Sequence, residues 1–211
     1  MKRIFATLLI MCFTLNTTLL AAFAATPKNT AQKSKITMSS EAEGFKQQGV
    51  LYYSQNNLTE AYKQLSRIPE KERDEETYLL MANIFQDNNK PIEAIYHLQK
   101  ALQVNPKYYK AYYNLGNLYM EDNKLNSAIA NFKDAIKYKP DFAYSYYNLG
   151  ICYYNLFDYK DAKKNFVRAM MIIPTVPEFY YNLSLTYTKM NDQKKADEAM
   201  ATYTKLKNED M

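Results

Sequence analysis

The sequence is poor in the side chains that build most catalytic and metal sites. Its 211 residues include one His, two Cys and no Trp. Metal sites built from His and Cys need several such side chains at spacings that let them converge. The single His97 has no second His or Cys in register with it. We therefore expect it to be an exposed or partly packed structural residue. The four Gly form no phosphate-binding loop, and no nucleophile motif is present. We therefore expect no enzyme, no catalytic residues, no cofactor and no metal.

Glycine and proline are scarce, whereas tyrosine is abundant. The chain has four Gly and seven Pro against 21 Tyr, and aromatic residues make up 15% of it. This balance fits a helix-rich chain whose cores are filled mainly by tyrosine rings. The net charge is +5, and Lys2 and Arg3 supply two of those charges. So small a positive balance does not predict a nucleic-acid partner.

The first 24 residues have the pattern of a secretion signal. Lys2 and Arg3 precede an apolar run, and Ala22 and Ala24 place small residues at positions −3 and −1 of a cleavage site. The pattern predicts a signal peptide over residues 1–24 that is cleaved after Ala24. The protein is then extracytoplasmic, either periplasmic or secreted. The alternative is an uncleaved membrane anchor, because the stretch is nearly long enough to span a bilayer.

Residues 25–41 are rich in Thr, Ser and Lys and contain few large apolar side chains. Such a composition predicts a flexible linker. Once the signal is removed, Cys152 is the only cysteine, so no internal disulfide can form. Cys152 directly precedes the apolar-pattern residue Tyr153, which predicts a buried and inert thiol.

A helical pattern with a fixed period fills the rest of the chain. Between residues 109 and 142, small and apolar residues recur with the spacing of two amphipathic helices separated by a polar turn. These residues are Tyr112, Leu115, Gly116, Tyr119, Ala128, Phe132 and Ala135, and Pro140 follows the second helix. The same pattern recurs 34 residues later and 34 residues earlier. A period of this length indicates stacked two-helix units.

The spacing and residue types at these positions resemble the tetratricopeptide repeat, or TPR, family. The resemblance implies an all-α fold, a right-handed superhelical solenoid of about five two-helix TPR units. The expected units lie near residues 42–74, 75–108, 109–142, 143–176 and 177–210. The first and last units match the pattern less well, as expected for ends that lack an outer neighbour.

In the predicted hairpins, the residue types of the turns suit a positive φ, and the glycines suit a close approach of two helices. Four turns contain Asn or Asp, including Asn56, Asn89, Asn123 and Asn191. These residue types tolerate the positive φ that such turns often require. Gly116 and Gly150 are expected where the first helix closely approaches the alanine of the second helix.

In the TPR family, several positions of each first helix face a concave groove, and the resemblance assigns ten residues to it. They are Asn83, Tyr113, Asn114, Asn117, Tyr144, Tyr147, Asn148, Tyr154, Tyr181 and Asn182. Stacking should align them as a ladder of tyrosines and a ladder of asparagines. We expect the Asn amides to pair with the backbone of a bound peptide and the Tyr rings to cover it.

Most of the binding energy is expected in the middle of the groove, at Tyr113, Asn114, Tyr147 and Asn148. Folding should not need these side chains, because they lie beside the core positions. Tyr112 and Tyr146 should instead belong to the core and be needed for stability.

The resemblance favours an extracytoplasmic, non-catalytic scaffold whose concave groove binds a peptide segment of another protein. The alternative is a carbohydrate or cell-wall binding module, because tyrosine rings also stack on sugars. A membrane partner is expected only if the N-terminal segment is retained as an anchor. The cationic clamp with which one TPR subclass binds chaperone carboxylates is missing, since its positions hold residues such as Leu79 and Tyr144.

Overall fold

The computed structural model describes residues 36–209, so the predicted signal peptide and the first part of the predicted linker lie outside the described residues. Within this range the chain forms ten α-helices and one short 3-10 helix at Glu70–Glu72. The α-helices are α1 (Ser40–Ser54), α2 (Leu58–Arg67), α3 (Glu75–Asp87), α4 (Pro91–Val104), α5 (Tyr109–Glu121), α6 (Leu125–Tyr138), α7 (Ala143–Asn155), α8 (Tyr159–Ile172), α9 (Pro177–Lys189) and α10 (Gln193–Glu209).

The ten helices pack in pairs. Helices α1 and α2 form the first hairpin, and the next four pairs follow in chain order. The second helix of each hairpin packs against the first helix of the next hairpin, so each repeat contacts its neighbours along the chain. This arrangement confirms the predicted all-α fold of five two-helix repeats.

Helix starts follow from local capping chemistry. The side chains of Ser39, Asn57, Asp74 and Asp158 each accept a hydrogen bond from a backbone N–H of the first turn that follows. These bonds satisfy donors that have no partner inside the helix. Helix α1 therefore begins at Ser40, inside the last residues of the predicted linker.

The five turns within the hairpins share one backbone motif. In each turn, two successive N–H groups donate back to carbonyls of the preceding helix, as Asn123 does to Met120 and Lys124 to Tyr119. This pair of hydrogen bonds is the Schellman motif, and its central residue must take a left-handed φ. Asn56, Asn89, Asn123 and Asn191 have φ between 55° and 59°, which confirms the predicted role of asparagine. The central residue of the remaining turn, between α7 and α8, is Phe157, with φ 62°.

Phenylalanine rings fill the hairpin interiors. Phe132, Phe166 and Phe179 are fully buried. A Cβ on Gly116 would lie 2.5 Å from the Phe132 ring, and a Cβ on Gly150 would lie 2.7 Å from the Phe166 ring. The glycines therefore make room for an aromatic ring of the second helix, and not for its alanine as the sequence suggested.

Three tyrosines at the start of the first helices are half-buried, although the sequence placed two of them, Tyr112 and Tyr146, in the core. Their hydroxyls donate to the carbonyls of Pro106, Pro140 and, from Tyr180, Pro174, six residues earlier. The Tyr112 ring also stacks on Tyr138, with the centroids 5.6 Å apart. These tyrosines tie each first helix to the loop before it.

Candidate partner-binding face

The ten residues predicted to face a groove all lie on the first helices α3, α5, α7 and α9. We call them together the tyrosine–asparagine face. Side-chain hydrogen bonds between neighbouring repeats connect seven of them: Asn83, Tyr113, Asn114, Asn117, Tyr147, Asn148 and Asn182. The other three are tyrosines that contact aromatic rings: Tyr144 contacts Phe179, Tyr181 contacts Tyr203, and Tyr154 contacts Tyr159. The structure thus brings most of the predicted residues together.

The asparagines bind one another across the repeat boundaries. Asn148 Nδ2 donates to Asn117 Oδ1 at 2.7 Å, and Asn114 Nδ2 donates to Asn83 Oδ1 at 3.2 Å. Each bond joins two residues that are 31 positions apart, so it joins one repeat to the next. Asn114 and Asn148 thus each use an N–H inside the protein, and the pairing of the asparagines with a partner's backbone stays a prediction. Their bonds brace the stacked first helices.

Two tyrosine hydroxyls extend this network. Asn148 Nδ2 also approaches the hydroxyl of Tyr113 at 3.3 Å, and Asn182 Nδ2 donates to the hydroxyl of Tyr147 at 2.8 Å. A hydroxyl oxygen that accepts such a bond keeps its own proton free to donate. Burial, with the nearby Glu178 carboxylate, raises the pKa of Tyr147, so its hydroxyl stays protonated near neutral pH.

The rings of Tyr113 and Tyr147 pack between repeats. The Tyr113 ring lies 5.0 Å from Phe142, which precedes the next repeat, and 5.9 Å from Phe132. Tyr147 repeats this arrangement, at 4.8 Å from Phe179 and 5.8 Å from Phe166. Aromatic pairs at these distances stabilise a fold beyond the area they bury. The expectation that folding does not need Tyr113 and Tyr147 therefore disagrees with their contacts.

Tyr144 and Tyr181 present the most surface to solvent on this face, with 41% and 40% of their area exposed. The Tyr144 ring lies 5.9 Å from Phe179, and the Tyr181 ring lies 5.3 Å from Tyr203, so both are supported from one side. A bound molecule can reach them without disturbing the network beneath.

Sequence reasoning missed Phe179, whose ring packs on Tyr144 and Tyr147. Phe179 occupies a position at which the three preceding repeats carry the smaller residues Thr77, Ala111 and Ser145. All three are fully buried, so the position faces the interior in every repeat. That contrast in size was the available signal for an aromatic support of Tyr147.

The two candidate reactive side chains outside this face are buried. His97 is stacked on Phe85 at 5.2 Å, and burial, with the charges of Arg73 and Lys100, lowers its pKa to about 4. Burial raises the pKa of the Cys152 thiol to about 11, so the thiol is unreactive at neutral pH. His97 is more buried than the sequence suggested. Across residues 36–209, no three His, Cys, Asp or Glu side chains lie close enough together to hold a metal ion.

A helix that spans a bilayer needs about 20 consecutive, mostly apolar residues. Between residues 36 and 209, no helix combines the necessary length with sufficient hydrophobicity.

Solved structures share this fold. A crystal structure of MamA is 20% identical, with a TM-score of 0.70, and the match covers 77% of this chain and 95% of MamA. MamA 41-end from Desulfovibrio magneticus RS-1 is 18% identical, with a TM-score of 0.73 and coverage of 82% and 98%. Pseudomonas aeruginosa pilF is also 18% identical, with a TM-score of 0.71 and coverage of 78% and 76%. At these identities the likeness concerns the fold.

Sequence comparison identifies the repeats. No curated protein matches this chain. A family model described as TPR repeat matches residues 82–122 and 116–156, and models described as tetratricopeptide repeat match residues 143–176 and 177–210. These matches extend over more than half of the chain, and the chain therefore belongs to the tetratricopeptide repeat family.

Proposed function

We propose that the protein is an extracytoplasmic, non-catalytic scaffold that binds a peptide segment of a partner protein on the tyrosine–asparagine face. The observation that carries the proposal is the pair of exposed rings, Tyr144 and Tyr181, on a surface that is already braced by bonds between repeats. TPR domains in general bind segments of other proteins, and this face is where the family's groove is expected.

The contacts of the face support binding at low entropic cost. The Tyr113 and Tyr147 rings are fixed by neighbouring phenylalanines, and their hydroxyls are oriented by Asn148 and Asn182. Both hydroxyls retain a proton to donate to a carbonyl of the bound segment. A surface that is ordered before binding loses little conformational entropy when a partner arrives. Donors at successive repeats therefore suit an extended chain that presents backbone carbonyls in series.

The test uses the full chain expressed in its native host, with a photo-crosslinking amino acid at Tyr144 or Tyr181. Tyr96 on α4 provides a matched control, because it is 53% exposed but lies on a second helix. We expect one partner to crosslink from both positions on the face and not from Tyr96. The double variant Tyr144→Ala plus Tyr181→Ala should weaken capture of that partner by about 2 kcal/mol or more, while Tyr96→Ala leaves it unchanged.

Two results would count against this proposal. Equal crosslinking from Tyr96 would mean that the face has no special role. The second result has three parts: the wild type sediments with peptidoglycan, the double variant does not, and no protein crosslink forms. That result would favour the carbohydrate alternative.

The extracytoplasmic location rests on the N-terminal pattern, which lies outside the described residues. Mass spectrometry of the protein from its native host should find a chain that begins at Ala25. Retention of Met1 through Ala24 would instead support the membrane-anchored alternative.

A further inference from the structure

The turn between α7 and α8 differs from the other four turns in a way that folding does not explain. Its left-handed central residue is Phe157, where the other hairpins carry asparagine. Left-handed φ is unfavourable for a bulky side chain, whereas asparagine tolerates it. The Phe157 side chain is 77% exposed, and among residues 36–209 its one ring contact is an edge contact with Tyr159 at 6.4 Å. The residue thus combines backbone strain with an exposed apolar ring.

Leu156, the preceding residue, is 42% exposed. The two side chains form an apolar projection at the end of the hairpin, which we call the Leu156–Phe157 tip. A projection of this kind does not enclose a peptide, as a groove does. It can instead insert into a deformable surface or into a concave pocket of another molecule.

Unpaired cations follow the tip on α8. Lys160, Lys164 and Arg168 are spaced along the side of the helix opposite Phe166, which is buried, and Lys163 lies beside Phe166, three residues away. Among the described residues, none of the four forms an ion pair, whereas Lys46, Lys100 and Lys195 elsewhere do. Arg168 lies over the Tyr146 ring at 5.8 Å, and Met171 on the same side is exposed.

The acidic residues nearby are Asp158 and Asp161 at the start of α8, and Asp192 before α10, whose pKa Lys195, and to a lesser degree Lys163, lowers. The Asp158 carboxylate accepts the N–H of Asp161 at 3.1 Å and so caps α8. The stretch from the tip to Met171 therefore keeps an excess of positive charge, beside two exposed apolar side chains.

We propose that the Leu156–Phe157 tip and the cations of α8 form a peripheral contact with an anionic membrane surface. The tip enters the boundary between head groups and acyl chains, and Lys160, Lys164 and Arg168 lie near lipid phosphates. The positive charge favours an anionic membrane over a neutral one. The apolar tip can also insert beside the acyl chains, which a purely cationic patch does not do. The contact uses none of the residues of the tyrosine–asparagine face. It also does not require the N-terminal segment, through which alone the sequence suggested membrane contact.

The absence of tryptophan gives a direct readout, since Phe157→Trp introduces the only tryptophan of the chain. The full-length variant is mixed with vesicles of phosphatidylcholine alone or with added phosphatidylglycerol. We expect the fluorescence emission to shift to shorter wavelength with the anionic vesicles and to stay unchanged with the neutral ones. Ile92→Trp is the matched control, because Ile92 is 80% exposed on α4 and should show no shift. Lys160→Glu plus Lys164→Glu, added to Phe157→Trp, should abolish the shift.

A second variant separates binding from folding. Phe157→Asn restores the residue of the other turns, so we expect the melting temperature to rise by about 2 to 4 °C while partitioning onto anionic vesicles falls at least tenfold. An unchanged emission of the Phe157→Trp variant on anionic vesicles would overturn the proposal. So would an equal shift of the Ile92→Trp control, or a shift produced by envelope proteins in the absence of lipid, which would assign the tip to a protein partner.

Discussion

Gly150 shows how one missing side chain sets the distance between two helices. A Cβ at this position would lie 2.7 Å from Phe166 Cε1, and the Phe166 ring is fully buried among neighbouring side chains. We expect Gly150→Val to lower the free energy of unfolding by about 1 to 3 kcal/mol through overpacking. Urea denaturation followed by circular dichroism measures this.

Gly44 is the control for that substitution, because a Cβ there meets nothing within 4 Å. It lies inside α1, where glycine costs conformational entropy. Gly44→Ala should therefore stabilise the protein by roughly 0.5 to 1 kcal/mol. If both glycine substitutions destabilise the protein equally, the close contact with Phe166 is not the cause.

His97 makes stability depend on pH. Its pKa in the folded protein is lowered from 6.5 to about 4, mainly by burial and further by the charges of Arg73 and Lys100. Neutral His97 therefore stabilises the fold fully above pH 6.5, and this contribution is lost as the pH falls from 6.5 towards 4. The expected loss is about 3 kcal/mol.

The measurement compares urea midpoints between pH 7 and pH 4 for the wild type and for His97→Phe, which retains an aromatic ring beside Phe85. The variant should lose less stability across this range, because it has no group that must be protonated there. Identical pH profiles would show that the carboxylates, and not His97, dominate.

The asparagine positions illustrate what the sequence could predict about the elements. The left-handed turns at Asn56, Asn89, Asn123 and Asn191 follow from the chemistry of the residue itself, so pattern reasoning found them. Asn148 was placed on the correct helix by its position in the 34-residue repeat. That its amide would bind Asn117 depends on the distance between two repeats, which a periodic pattern does not contain. The burial of His97 likewise depends on Tyr62 from the preceding hairpin.

The joint between the fourth and fifth repeats gives a test at the level of packed helices. Tyr147 on α7 contributes a ring against Phe179 on α9 and a hydroxyl that accepts from Asn182. Tyr147→Phe keeps the ring and removes one hydrogen bond, so it should cost about 1 kcal/mol. Tyr147→Ala removes the ring as well and should cost about 3 to 5 kcal/mol.

Tyr144→Ala is the matched control for this series, because Tyr144 is the next tyrosine on the face and is more exposed. Its substitution should change the free energy of unfolding by less than that of Tyr147→Ala. Equal effects of the two alanine substitutions would contradict the assignment of Tyr147 to the joint.

The charged connection between the first two repeats shows a similar dependence on neighbours. Its acidic residues have the composition of a solvated loop, yet three of them bind specific partners. Lys46 pairs with Asp74 at 2.7 Å, Lys100 pairs with Glu70 at 2.9 Å, and Glu72 accepts from Ser39 at 2.7 Å. These pairs join segments about 30 residues apart, so polar contacts reinforce the first joint, where the rings of Tyr62 and Phe85 also pack 5.0 Å apart.

The array as a whole should lose stability in steps when repeats are removed from its end. Each hairpin contacts its neighbours in the chain, so the energy of the array is a sum of repeat and joint contributions. Deletion of residues 177–211 removes α9 and α10, which hold 13 and 17 helical residues. We expect the remaining four hairpins to stay folded, with the helical circular dichroism signal lower by about a fifth. The truncated protein should also aggregate more readily, because Phe166 and Ala169 lose the cover that Leu183 and Phe179 provide. Deletion of residues 143–211 provides the second point, and its signal should fall by a similar further step. Complete loss of helicity after the first deletion would show that the five repeats fold as one cooperative unit and not as an additive array.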